Sequence, residues 1–331
     1  MLIGMFVFGV AVLGKSADFL VEIAVELATR VGIPSLVIGA TIVSLGTTLP
    51  EIVVSALAAA AGRPGIALGN AIGSVICDTG LIMGLAILMG SIPVKGELII
   101  RQANLQLFFP ALLIMLCASS NPSHFWTQGG HLHQFGGLLL VSALLGYLYF
   151  SYRWSKVNPN PSEIQEEDHN EASNNPILLV FKLIVAAFFL IISSDILVTC
   201  ASEVARRFEV PEMVIAQSLV AFGTSLPELV TAITAVRRGH GELALGNVIG
   251  ADILNILGVV GISTAIQPKG LEVDPQFFTS SFPIMMLILV IFRLGIHHAR
   301  KQEQIHKAVG FIILTLYFGI TMSHWFTGAK G

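Results

Sequence analysis

The sequence predicts an all-α integral membrane protein of ten transmembrane helices, arranged as two inverted five-helix repeats with broken helices at the midplane. Three observations predict it: apolar stretches that recur along the whole chain, a scarcity of charge, and a signature that occurs twice. Of the 331 residues, 54% are hydrophobic and 12% charged, and the mean hydropathy is +0.80. A soluble domain carries about 25% charge. The stretches are long enough for a ~30 Å hydrocarbon core, and lie at about 2–28, 35–60, 66–90, 103–119, 135–152, 177–201, 212–237, 243–265, 277–294 and 308–326.

The first span lacks a basic leader and runs past the apolar core of a signal peptide, so it reads as a retained helix. It carries Lys15, Asp18 and Glu22, and a Lys15–Asp18 pair is in reach at i, i+3. The second is interrupted by Ser44-Leu-Gly-Thr-Thr-Leu-Pro-Glu51, and the third opens on Leu68-Gly-Asn-Ala-Ile-Gly-Ser-Val-Ile-Cys-Asp78. Between the fourth and fifth, His124, His131 and His133 with Trp126 read as an interfacial loop. Residues 153–176, with Asn158-Pro-Asn-Pro161 and the acidic run Glu163–Glu171, read as a solvated linker without an EF-hand pattern.

The sixth span carries Asp195 at the position equivalent to Asp18. The seventh is interrupted by Ala221-Phe-Gly-Thr-Ser-Leu-Pro-Glu228, and the eighth carries Leu245-Gly-Asn-Val-Ile-Gly-Ala-Asp-Ile-Leu-Asn255. His297, His298 and His306, mixed with Arg300, Lys301 and Lys307, form a solvated loop between the ninth and tenth. Cys77, Cys117 and Cys200 fall inside spans at unrelated spacings and read as packing residues.

The two halves match at a constant offset of 177 residues without a slip of register: Ser16 with Ser193, Glu26 with Glu203, Arg30 with Arg207, Pro34 with Pro211. The chain is a duplication, with halves 1–152 and 177–331 around the linker. Five spans per copy, an odd number, turn the second copy upside down. That is the inverted-repeat construction of secondary transporters, with sites near the midplane on interrupted helices. Placing both termini outside and the linker in the cytoplasm puts twelve Lys and Arg inside against five outside.

An acid at the bilayer centre costs roughly 2.5–3.5 kcal/mol even on lenient scales, so Glu51 and Glu228 are functional candidates. Pro50 and Pro227 have no N–H, which frees the carbonyls of Gly46 and Gly223. Irregular backbone at that depth is tolerated only inside protein or along a wet cavity. Around the breaks stand Thr47, Thr48, Thr224 and Ser225. Hard cations such as Ca²⁺ take about 6–8 oxygens from carboxylates, carbonyls and water, and this is the matching inventory. No thiolate or imidazole accompanies it, which argues against a soft metal. From Glu51 it is 23 residues to Ser74 and 27 to Asp78; the same steps from Glu228 reach Ala251 and Asn255. Gly69/Gly73 and Gly246/Gly250 are small-xxx-small pairs that let helix backbones approach.

The paired G-T-T/S-L-P-E signature followed by G-N-x-I-G resembles the two α-repeats of the sodium/calcium exchanger family, within the cation/calcium antiporter superfamily, most nearly its prokaryotic members. The resemblance covers the whole chain. It implies a calcium-type site from the carboxylates of Glu51 and Glu228 and the carbonyls of Thr47 and Thr224. It implies flanking sodium-type sites from the Ser44 carbonyl, Thr48 and Ser74 on one side and the Ala221 carbonyl and Ser225 on the other, with Asp78 and Asn255 lining the middle. Two departures stand out: Ala251 occupies a position where the family often has a serine, and the acid of the Asp/Asn pair is in the first repeat.

The resulting expectation is an antiporter of the prokaryotic plasma membrane, not an enzyme, that exchanges Ca²⁺ for Na⁺ by alternating access. It needs no cofactor, works as a monomer in the bilayer and binds no nucleic acid. Ca²⁺/H⁺ exchange is the alternative reading, although the Gly-Asn-Ala-x-Glu signature of proton-coupled relatives is absent. A cation channel is a weaker alternative.

Overall fold

A computed structural model describes residues 2–118, 124–157, 176–207 and 221–328. These residues are almost wholly helical. Helix α1 is Leu2–Val31. Helix α2 has two arms, Ser35–Thr47 and Leu49–Ala60, bent by 47°. Helices α3 (Pro64–Met89), α4 (Gly96–Ala118), α5 (Gln134–Val157) and α6 (Pro176–Arg207) follow. Helix α7 is described as Ala221–Thr224 and Leu226–Arg237. Helices α8 (Gly241–Ala265), α9 (Phe277–Ala299) and α10 (Lys307–Gly328) complete the chain.

Among the described residues, seven helices are long and apolar enough to cross a membrane, or eight when the bent α2 counts as one span. The protein is a multi-pass membrane protein. The predicted seventh span begins within 208–220, outside the described residues, and the apolar part of α10 is the shorter Lys307–Gly319. The predicted fifth span ended at 152, whereas α5 runs to Val157. Its last turns are polar yet helical, and their aromatic rings carry cations: Lys156 stacks over Tyr152 at 4.7 Å and Arg101 over Trp154 at 5.4 Å. The linker residues 158–175, with their acidic run, lie outside the described residues.

The duplication is written into the element boundaries. Leu49–Ala60 corresponds to Leu226–Arg237, and Pro64–Cys77 to Gly241–Leu254, each shifted by the repeat offset. Both α3 and α8 then widen into π-helical turns, Asp78–Met83 and Asn255–Val260, again at equivalent positions. A π turn inserts a residue into the helix and re-aims its side chains, and such turns cluster at functional sites.

Helix α8 is the centre of the molecule, buried along its whole apolar window. It lies against the first arm of α2 backbone to backbone. A Cβ on Gly250 would stand 2.5 Å from the Ala40 carbonyl, and one on Gly39 2.5 Å from the Leu243 carbonyl. This is the close approach expected of the Gly246/Gly250 pair. A π-helical turn at Gly39–Val43 leaves the Ala40 carbonyl accessible, and Tyr147 of α5 donates to it at 3.0 Å.

Short ladders tie the halves together at two places. Strand β1 (Gly130–Leu132) pairs antiparallel with β2 (Leu271–Val273), joining the α4–α5 and α8–α9 loops. The histidine loop is therefore a ribbon, with His131 opposite Glu272 and its ring 4.5 Å from that of His133. A second bridge, Pro93 to Gln304, joins the α3–α4 and α9–α10 loops. It is flanked by hydrogen bonds from Val94 N–H to the Glu303 carbonyl and from Ile305 N–H to the Ile92 carbonyl.

On α1, Asp18 pairs not with Lys15 but with Arg238 of the α7–α8 turn, at 2.9 Å, and the same guanidinium reaches Glu22 at 3.6 Å. The reason is reach: a planar guanidinium fork arriving from another helix serves both acids, while Lys15 stays exposed.

Candidate functional site

The two signature helices break at equivalent residues in the same conformation. Thr48 has φ −84°, ψ 0° and Ser225 has φ −88°, ψ 4°, both in the sparsely populated bridge region. Each is followed by a fresh helix with proline in its first turn, where the missing N–H costs nothing. Glu51 and Glu228 therefore stand in the first turn of a new helix, near the positive end of its dipole. Both are 1% exposed.

The breaks bring the predicted residues of both halves together. Thr48 Oγ1 donates to Glu228 Oε1 at 3.3 Å with Thr47 beside the same carboxylate, and Thr224, the repeat mate of Thr47, stands beside Glu51. Asn255 Nδ2 donates to Asp78 Oδ2 at 3.4 Å. These two residues are repeat mates, 177 positions apart in the sequence. Glu51, Glu228 and Asp78 lie within reach of one another's charge.

Thr47, Thr48, Ser74 and Ser225 are buried around them. In this conformation the Ser44 carbonyl accepts the Thr48 N–H at 2.9 Å and the Thr47 hydroxyl at 3.3 Å, so it reaches an ion only by exchanging one of these. Ala221 sits in the short arm ahead of the second break. Ser74 is one helical turn before Asp78, and its carbonyl accepts the Asp78 N–H.

Buried polar groups in proteins are nearly always hydrogen-bonded. Here, among the described residues, both carboxylate oxygens of Glu51, Glu228 Oε2, Asp78 Oδ1, Asn255 Oδ1 and Ser225 Oγ have no hydrogen-bond partner. Among the described residues no Lys or Arg is buried to compensate the acids. A cluster of open, buried oxygens of this kind has the chemistry to accept a cation. No group of three His, Cys, Asp or Glu side chains capable of holding a metal occurs among the described residues, so the oxygens of a cation site must include carbonyls, hydroxyls or water.

Two supporting features escaped the sequence reading. Asn70 Nδ2 donates to Ser55 Oγ at 2.9 Å and to the Glu51 carbonyl at 3.5 Å, fixing the helix that carries Glu51. Its mate Asn247 has neither amide atom hydrogen-bonded, because Ala232 stands where Ser55 does in the first half. Asp252 is a fourth carboxylate with no exposed surface, gripped by Thr79 and by Gln106 at 2.6 Å. The signal for it was an acid inside an otherwise apolar span. Comparing the halves hid it, since its mate is Val75.

A multi-pass membrane protein with paired broken helices and a cation-type cluster at their crossing belongs among the ion transporters. The family model for sodium/calcium exchanger proteins matches residues 1–153 and 178–326, and the chain is a member of that family. It is 32% identical to the inner membrane protein YrbG of Escherichia coli, over 96% of this chain and 95% of that one. It is 30% identical to the sodium/calcium exchanger MaX1 of Methanosarcina acetivorans, over 86% and 89% of the two chains. A solved structure of the sodium-calcium exchanger NCX_Mj, soaked with zero Na⁺ and Ca²⁺, superposes with a TM-score of 0.79 at 27% identity, covering 97% of this chain and 98% of that one.

Proposed function

We propose that the protein is a secondary antiporter that exchanges Ca²⁺ for Na⁺ across the prokaryotic plasma membrane by alternating access. Ten helices form its two inverted halves, 1–152 and 177–331, around a cytoplasmic linker, with both termini outside, and it works as a monomer. The observation that carries this reading is the set of open oxygens from Glu51, Glu228, Asp78 and Asn255, gathered where the two broken helices cross. Ca²⁺ takes the two glutamates with the Thr47 and Thr224 carbonyls. Na⁺ takes overlapping oxygens, from Ser44, Thr48 and Ser74 on one side and Ala221 and Ser225 on the other, with Asp78 and Asn255 between.

Coupling follows from electrostatics. Three carboxylates in a low-dielectric site do not stay uncompensated, and shared oxygens prevent both ions from filling the site together. Family membership and the likeness to NCX_Mj support the same pair of ions. If three Na⁺ move against one Ca²⁺, one net charge crosses per cycle, which is worth about 2.3 kcal/mol per 100 mV.

The test is Ca²⁺ uptake into proteoliposomes under an outward Na⁺ gradient at clamped pH. Uptake is expected in the native protein. Glu51→Gln and Glu228→Gln are each expected to reduce it at least about 100-fold, the effect of losing ~3 kcal/mol of ion binding. Uptake indifferent to Na⁺ and driven by a pH gradient, or native flux in either variant, overturns the reading.

A further inference from the structure

Asp252 does not belong to the symmetric ion cluster. It sits three residues before Asn255 on the wholly buried α8, and its own position in the first half is Val75. One oxygen, Oδ2, receives the Thr79 hydroxyl and the Gln106 amide at 2.6 Å, and that amide also donates to the Thr79 hydroxyl at 3.1 Å. These donors come from α3 and α4, so the cage is assembled across the two halves. The other oxygen, Oδ1, has no hydrogen-bond partner among the described residues and no exposed surface.

The helices packed against α8 carry Glu51 on α2, Asp78 on α3, Tyr147 on α5 and Glu228 on α7 as their buried oxygen acids. Glu97 and Arg101 of α4 stand at its exposed end. Asp78 is within reach of the Asp252 charge. Among the described residues nothing basic is buried nearby, and a buried carboxylate must be neutralised.

We propose that Asp252, with Thr79 and Gln106, is a separate site for one monovalent cation, Na⁺ or a proton, held on Oδ1 beside the exchange site. The chemistry selects a single charge. Two donors already aim at Oδ2 and repel a metal ion there, and a divalent ion on the one remaining oxygen would leave a buried net positive charge. The site raises the number of buried acids from three to four, and so adds one positive charge to the ion complement beyond what the symmetric cluster requires.

The experiment measures binding to purified protein, independently of transport. ²²Na⁺ equilibrium dialysis in Ca²⁺-free choline buffer counts bound Na⁺, and Ca²⁺ titrations in buffers of different ionisation enthalpy count protons released. Asp252→Asn keeps the shape and an acceptor for both donors. It is expected to bind one Na⁺ fewer, identifying Na⁺, or to release one proton fewer on Ca²⁺ binding with its Na⁺ count unchanged, identifying H⁺. Gln106→Leu retains the acid and is expected to shift the affinity for that same ion at least threefold, which keeps the question decidable if Asp252→Asn does not fold. Native Na⁺ and proton counts in the folded variants overturn the proposal. Native protein that shows no Na⁺-driven Ca²⁺ flux but still differs from Asp252→Asn overturns the exchange reading and leaves this one standing.

Discussion

Asp78 and Asn255 show most directly how the duplication works at the scale of residues. They occupy equivalent positions, begin equivalent π turns, and hydrogen-bond to each other at 3.4 Å. The two side chains face each other across one hydrogen bond, so an acid at either position reaches the same partner. Asp78→Asn is therefore expected to impair Na⁺-driven Ca²⁺ uptake, and the exchanged pair Asp78→Asn with Asn255→Asp to recover most of it. The positional coupling is read from the double-mutant cycle. A double variant no better than Asp78→Asn alone would place the acid's role in the first half specifically. Residue identity at this pair was legible in the sequence because repetition marks it. Asp252 was not, because comparing halves rewards matches and passes over a carboxylate opposite a valine. Its partner Gln106 lies on α4; Gln102, one turn earlier on that helix and ahead of the predicted start at 103, bonds instead to Ser151 on α5 at 3.1 Å.

At the scale of elements, the interrupted helices were readable from proline and glycine, and the bend falls at Thr48 and Ser225, just ahead of Pro50 and Pro227. The π turns were not readable, since one inserted residue leaves no mark on apolar periodicity. Nor was the ribbon of His131 and Glu272, because three-residue strands carry too little pattern and their pairing joins distant loops. The contact of α8 on α2 is set by absent side chains. Gly250→Val places atoms where the Ala40 carbonyl stands, and overpacking of about 1–3 kcal/mol is expected to lower the apparent melting temperature by about 1–4 °C. Gly14→Ala on α1, which meets nothing within 4 Å, is the control and is expected to leave melting unchanged. Equal melting of both variants would show that α8 and α2 are not in contact in the membrane.

At the scale of the whole molecule, composition was sufficient for the class, an all-α multi-pass membrane protein, and the 177-residue offset for the matching boundaries of the helices around the two signatures. The sequence could not show how thoroughly the halves interpenetrate. Helix α8 of the second half rests on α2 of the first, α1 packs along α6, and the Asp252 cage draws on both halves. A half taken alone would expose the buried acids it shares with the other, together with the glycine-lined faces.

The two inter-half ladders, β1 with β2 and Pro93 with Gln304, have a consequence for the chain's covalent continuity. Loops already stitched by backbone hydrogen bonds, around a common buried interior, are expected not to depend on residues 158–175 to stay together. Fragments 1–157 and 176–331, expressed separately in one cell, are expected to co-purify and to support Ca²⁺ uptake within about threefold of the intact protein, since the tether contributes mainly effective concentration. Fragments that fail to associate would mean the linker holds the halves in place. In its physics the protein is a heterodimer whose two subunits share one reading frame.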